Sequence, residues 1–237
     1  MADFFQNDAC RVAQGLLGKV IRRRVQTPNG AYWLAARIIE TEAYYLDERG
    51  SHASLGYTEK RRALFMPAGT IYMYYARGGD SLNISTQGEG NAVLIKAAFP
   101  YEDDLTHAQA IAIMQQLNPG ADGQPRPVEK LCRGQTLLCR SLAIKVPDWD
   151  AEQFDKDCFY IDDTGLQAEK IIQTTRLGIP SGRDEHLHYR FIDHDYARFA
   201  TSNPLTKRGW REGREYRIIH TPSTPAHTIT PTHRDQE

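Results

Sequence analysis

Arg37-Ile38-Ile39-Glu40-Thr41-Glu42-Ala43-Tyr44, with His52 eight residues further on, sets two carboxylates and an aromatic ring where an apolar strand runs out. Strand side chains alternate with a period of two, so in extended backbone Ile38, Glu40, Glu42 and Tyr44 project to one face. Carboxyls of like charge held close raise the pKa of one of them, which is how a general acid or base is tuned. A tyrosine and a histidine beside such a pair suit the gripping of a flat ring. The same Glu-x-Glu is also the pattern of a solvated strand end, and Tyr is a common strand residue.

Upstream of this strand, Lys19–Gln26 alternates and Pro28-Asn29-Gly30 turns, and Asn-Gly between two such runs signals a hairpin into Ala31–Thr41. Residues 3–17 have apolar positions at helical spacing and stop at Gly18. Downstream, residues 45–68 read as irregular. Thr70–Tyr75 is then an aromatic strand, Arg77-Gly78-Gly79-Asp80 a tight turn, Leu82–Thr86 its partner and Ala92–Ala98 a further strand. The acids that open Asp103–Leu117 suit a helix N-terminus. Thr136–Ile144 reads as a short helix, and residues 158–163, 168–177 and 187–193 as strands. No shift of composition marks a boundary. The chain is therefore expected to form one domain over residues 1–219, with residues 220–237 a disordered tail that has little to bury.

At 237 residues the chain can bury a substantial core. No apolar run approaches the roughly 18 residues that a membrane span needs. The first residues carry no basic stretch of a secretory signal, so a cytoplasmic location is expected. Cys10, Cys132, Cys139 and Cys158 match no zinc spacing and read as reduced thiols. A net charge of −1 neither demands nor excludes nucleic acid, because binding needs a basic face rather than a basic total. Such faces have three sources: Arg22-Arg23-Arg24, Lys60-Arg61-Arg62, and the set Lys207, Arg208, Arg211, Arg214 and Arg217. Each is either a phosphate contact or a solvated surface.

Taken together, I-I-E-T-E-A-Y (38–44), S-H-A-S (51–54), F-M-P-A-G-T-I-Y-M-Y (65–74), L-N-I-S-T-Q-G-E-G (82–90) and V-L-I-K-A (93–97) resemble the alkyladenine (methylpurine) DNA glycosylase family in order and spacing. L-L-C-R-S-L-A-I (137–144) and R-L-G-I (176–179) resemble later blocks of the same family, so the likeness runs from about residue 10 to residue 205. The resemblance implies an α+β fold: one compact mixed domain around a curved, largely antiparallel sheet, with a protruding β-hairpin that wedges into DNA. It implies damaged double-stranded DNA as the partner, no metal or other cofactor, no membrane, and a monomer. A stacked base cannot be cut from its sugar, so the nucleotide is flipped into a pocket at a cost of a few kcal/mol, least for a damaged base. Aromatic walls offset part of that, at roughly 1–3 kcal/mol per stacked base. Tyr44, His52 and Tyr74 match the positions that hold the base, and Asn83 matches the asparagine that clashes with the 2-amino group of guanine. Glu42 matches the general base that activates water for attack on C1′. Glu40 is left with a supporting role, and Tyr72 reads as core.

Two places depart from the pattern. The hairpin after Tyr74 is about one residue shorter, and Ala76 or Arg77 stands where the family has the tyrosine that fills the hole in the duplex. Arg77 or Tyr75 is then expected to fill it, with Arg61 and Arg62 as further DNA contacts. Lys96 stands where the family has an arginine beside the water, keeping the charge but losing the planar fork. Two rivals remain open: a non-catalytic binder of damaged or structured nucleic acid using the same pocket, and a metal-dependent hydrolase built on Glu40, Glu42 and His52.

Overall fold

The structure, a computed structural model, describes residues 2–76 and 78–221. Two helices open the chain, α1 (Ala2–Phe5) and α2 (Ala9–Leu16), where one helix over 3–17 was expected. The break comes from Asp8, whose side chain accepts from the Cys10 and Arg11 amides and caps α2 afresh. Strands β1 (Val20–Thr27) and β2 (Gly30–Tyr44) form the expected hairpin. β3 (Ile71–Ala76) and β4 (Gly79–Ser85) form a second hairpin, and β5 (Ala92–Pro100) follows.

Helix α3 begins only at Ala110 and ends at Leu117, seven residues later than its acids suggested. Asp103 caps no helix. Its carboxylate takes the Arg22 guanidinium, and one oxygen also accepts from the amides of Leu105 and Thr106, which folds this stretch into a turn. Then come α4 (Gln135–Ser141), α5 (Val146–Trp149), β6 (Phe159–Asp162), β7 (Lys170–Thr174), β8 (Arg190–Asp193) and β9 (Tyr216–His220). β9 has no counterpart in the sequence reading and ends one residue past the boundary expected at 219. The rest of the expected tail, residues 222–237, lies outside the described residues.

Among the described residues the nine strands make one antiparallel sheet in the order β3-β4-β5-β2-β8-β7-β9, with β1 on the first half of β2 and β6 on β1. The fold is α+β and the sheet is not closed. One face is covered by α2, whose Val12, Ala13 and Leu16 join Ile38, Ala43, Ile84 and Phe191 in the main core. A smaller cluster of Ile39, Ala97, Ile172 and Ile192 lies on the other face.

β2 does not keep the simple alternation. Its pairing with β5 slips twice, between Ile38 and Glu40 and again between Glu40 and Thr41, where Ala97 and then Ile95 are the partners. The first slip makes Ile39 the extra residue of β2, and the second makes Lys96 the extra residue of β5. Ile38 consequently joins the α2 core while Glu40, Glu42 and Tyr44 face the other way, so the expectation that all four share a face fails at Ile38. β-Bulges re-aim side chains in this manner, often beside functional sites.

Candidate active site

β2 delivers Tyr44 to a cavity of about 700 Å³ and buries Glu42 directly behind the Tyr44, Lys96 and Leu177 that line it. The sheet lines it with Tyr44, Tyr72, Tyr74, Asn83, Leu94 and Lys96, and loops add His52, Arg133, Leu177, Ile179 and Arg183. Volume and lining are those of a pocket for a small planar ligand. The expected base-holding residues Tyr44, His52, Tyr74 and Asn83 are thus together, with Lys96 among them.

Three rings make the aromatic wall. Tyr72 and Tyr74 stack at 5.5 Å between centroids, and His52 meets Tyr74 edge-on at 4.3 Å. His52 Nδ1 lies 3.1 Å from the Tyr72 hydroxyl. Tyr72 was expected to be core only. It is buried, but it also lines the cavity and fixes the imidazole. Burial, then the charges of Arg61 and Arg183, hold the His52 pKa below its ordinary value, so the ring is neutral at pH 7. Asn83 donates to the Tyr72 carbonyl at 3.2 Å, which anchors its amide at the cavity edge.

Glu42 is fully buried. One carboxylate oxygen accepts from the Tyr44 hydroxyl at 2.7 Å. The other accepts from the Leu177 amide at 3.1 Å and lies 3.5 Å from Lys96 Nζ. Burial pushes a carboxyl up. Here Lys96 and Arg190, then the Tyr44 hydroxyl and the Leu177 amide, outweigh it and hold Glu42 below its ordinary value. Burial and the adjacent carboxylate drive the Tyr44 hydroxyl well above its ordinary value, so it stays a donor. The expectation that one of the two carboxyls is raised fails at Glu42, which is held low; Arg190 Nε takes Glu40 at 2.7 Å, and Glu40 also accepts from the amide and hydroxyl of Thr201. Neither glutamate is shared with His52, as the metal-dependent reading required.

Behind Tyr44 stands Arg176. Its guanidinium lies 4.5 Å from the ring centroid, donates to the Ala43 carbonyl at 2.9 Å and pairs with buried Glu48. Arg176 and Leu177 belong to the R-L-G-I block, to which the sequence reading gave no residue roles. Arg133 and Arg183 carried no signal at all, being single cations in polar loops.

The expected DNA contacts are more dispersed. Tyr75 points away from Tyr74 and is 63% exposed on the β3–β4 hairpin. Arg77 lies outside the described residues. Arg62 pairs with Glu59 at 2.9 Å and Arg61 reaches the Leu55 carbonyl at 3.3 Å, so neither lines the cavity. The hairpin is braced from below. A Cβ on Gly79 would come within 2.1 Å of Thr136 Cγ2, and Asp80 accepts from the Val146 amide.

This arrangement has relatives. The family model for methylpurine-DNA glycosylase matches residues 3–197. A Pseudomonas syringae pv. tomato protein named "Putative 3-methyladenine DNA glycosylase" is 64% identical over 216 residues, which is 91% of this chain and 95% of that protein. A Pseudomonas aeruginosa protein of the same name is 58% identical over 216 residues, 91% of this chain and 88% of its own. The Homo sapiens protein named DNA-3-methyladenine glycosylase is 37% identical over 182 residues, 75% of this chain and 59% of the human one. A match of that extent, on a chain whose sheet brings the matched motifs into one cavity, makes it a member of the methylpurine-DNA glycosylase family.

Proposed function

We propose that the chain flips an alkylated or otherwise damaged purine out of duplex DNA and hydrolyses its N-glycosidic bond, leaving an abasic site. The observation that carries the reading is a buried carboxylate, held below its ordinary pKa, directly behind the Tyr44, Lys96 and Leu177 that line an aromatic cavity. Glu42 is the general base, and it stabilises the oxocarbenium-like sugar while it deprotonates water for attack on C1′. Lys96 both lines the cavity and touches Glu42, so water reaches the carboxylate beside its ammonium. Tyr44, Tyr74 and His52 hold the base, and Asn83 refuses guanine by its 2-amino group. Cationic alkylpurines gain further from the π faces. Either Tyr75 or Arg77 fills the space left in the duplex, and Arg61 and Arg62 steer the flanking phosphates.

No activated amine enters this scheme, so the enzyme is monofunctional, with no lyase step. It acts as a monomeric cytoplasmic enzyme of one domain. The test is release of methylpurines from methylated duplex DNA, beside an oligonucleotide carrying one hypoxanthine or ethenoadenine. Free methylpurine with an alkali-labile site left in the strand supports the reading. Lesion binding without release from either substrate replaces it with the non-catalytic binder.

A further inference from the structure

The match to the family model stops at residue 197, and beyond it the chain carries its densest run of cations. Lys207, Arg208, Arg211, Arg214 and Arg217 fall within eleven residues, against Glu212 and Glu215. Both acids are turned to local partners. Glu215 accepts from the Arg211 amide at 2.8 Å and pairs with Arg214, and Glu212 accepts from the Ile218 amide at 3.3 Å. Lys207 sits over the Trp210 ring at 4.4 Å. Arg208 and Arg211 are exposed and have no anionic partner among the described residues.

Strand register places this run relative to the cavity. Asn83, Leu94, Glu42, Arg190, Thr174 and Tyr216 are successive partners across β4, β5, β2, β8, β7 and β9. Tyr216 therefore shares the face of Glu42, three strand spacings or roughly 14 Å away. β9 runs opposite to β2 and β7, so the chain enters it at the end of the sheet where Tyr44 closes β2 and β7 leads into Arg176 and Leu177. The basic run therefore leads into β9 at the cavity end of the sheet, joining it at Tyr216 on the Glu42 face.

We infer that residues 207–214 form a second DNA-contacting surface, which holds the backbone of the duplex beside the flipped nucleotide. At about 3.4 Å per base pair, the roughly 14 Å from Glu42 to Tyr216, where the run joins the sheet, spans about four pairs, which puts the contacts on the flanking duplex rather than on the flipped nucleotide. The inference rests on the proposed function for the position of the flipped nucleotide, but the phosphate contacts themselves need no lesion.

The test is the salt dependence of binding to two 30-bp duplexes, one undamaged and one carrying a single hypoxanthine. Each phosphate contact contributes about 0.9 to the slope of log K against log[salt]. Arg208→Gln/Arg211→Gln is expected to lower the slope by roughly 1.8 on both duplexes and to weaken binding at least about ten-fold at 0.1 M salt. The single variant Arg208→Gln should lower the slope by roughly half as much. The control pair, Arg11→Gln/Lys156→Gln, removes the same charge from exposed positions elsewhere. An unchanged slope in the 208/211 variant, or an equal drop in the control, overturns the surface. If the wild type excises nothing but the 208/211 variant loses slope as expected, the surface stands and the enzymatic reading falls.

Discussion

Glu40 and Glu42 are two residues apart on one strand, on one face, and both are fully buried. Their surroundings differ completely. Glu40 is closed in by Arg190 and by the amide and hydroxyl of Thr201. Its charge is matched by a rigid guanidinium, and it faces no open space. Glu42 has a tyrosine hydroxyl, one backbone amide, and an ammonium 3.5 Å away on a flexible stem that itself lines the cavity. A short, buried guanidinium contact with hydrogen bonds on both oxygens makes a carboxylate a strut, whereas the looser set around Glu42 is compatible with the general-base role proposed for it. The motif Glu-Thr-Glu supplies both, and the partners decide which is which.

The largest effect that would break this comparison belongs to the strut. Glu40→Ala leaves Arg190, which is 1% exposed, charged and unpaired. Such a loss costs about 3–5 kcal/mol. Chemical denaturation should show that drop, and a change below 1 kcal/mol would remove the strut from the account.

Lys96→Met tests the other side. Lys96 is the largest of the charges and hydrogen bonds that hold Glu42 low, so its removal raises that carboxyl. With a depressed pKa, Glu42 is ionised at neutral pH, and its contribution fades only as pH falls below the ordinary Glu value of about 4.3. The pH–rate profile of the wild type is therefore flat through neutrality with an acid limb below that value, and Lys96→Met moves the limb upward. An unmoved limb would mean that another group titrates there.

Tyr44→Phe should move the same limb upward by less than Lys96→Met, because it removes one hydrogen bond to a charged group while keeping the ring over Arg176. Smallest is Tyr72→Phe. It releases His52 Nδ1 and is expected to weaken lesion binding by about 0.5–1.5 kcal/mol, read from the Kd of a catalytically dead background.

Much of this was legible in the chain. The strands from β1 to β8 and both hairpins follow from alternation and Asn-Gly or Gly-Gly turns, because those signals are local. The cavity residues were legible through spacing against a family pattern. What stayed hidden depends on long-range partners. Asp103 reads as a helix cap until Arg22, 81 residues away, claims it. A bulge at Ile39 puts Ile38 on the opposite face from Glu40, and no residue type announces a bulge. Arg176 behind Tyr44 and Arg190 between the glutamates are ordinary strand and loop arginines until the sheet closes around them. β9 is half-exposed at an edge, so its sequence carries little apolar contrast.

The most direct test of the central claim is single-turnover excision from methylated duplex DNA by Glu42→Gln, with lesion binding measured on the same protein. The amide keeps the size of the side chain and removes the base. Binding is expected to hold while release falls by about 10²–10⁴-fold. Excision at the wild-type rate would contradict the account and leave Glu42 a second strut beside Glu40.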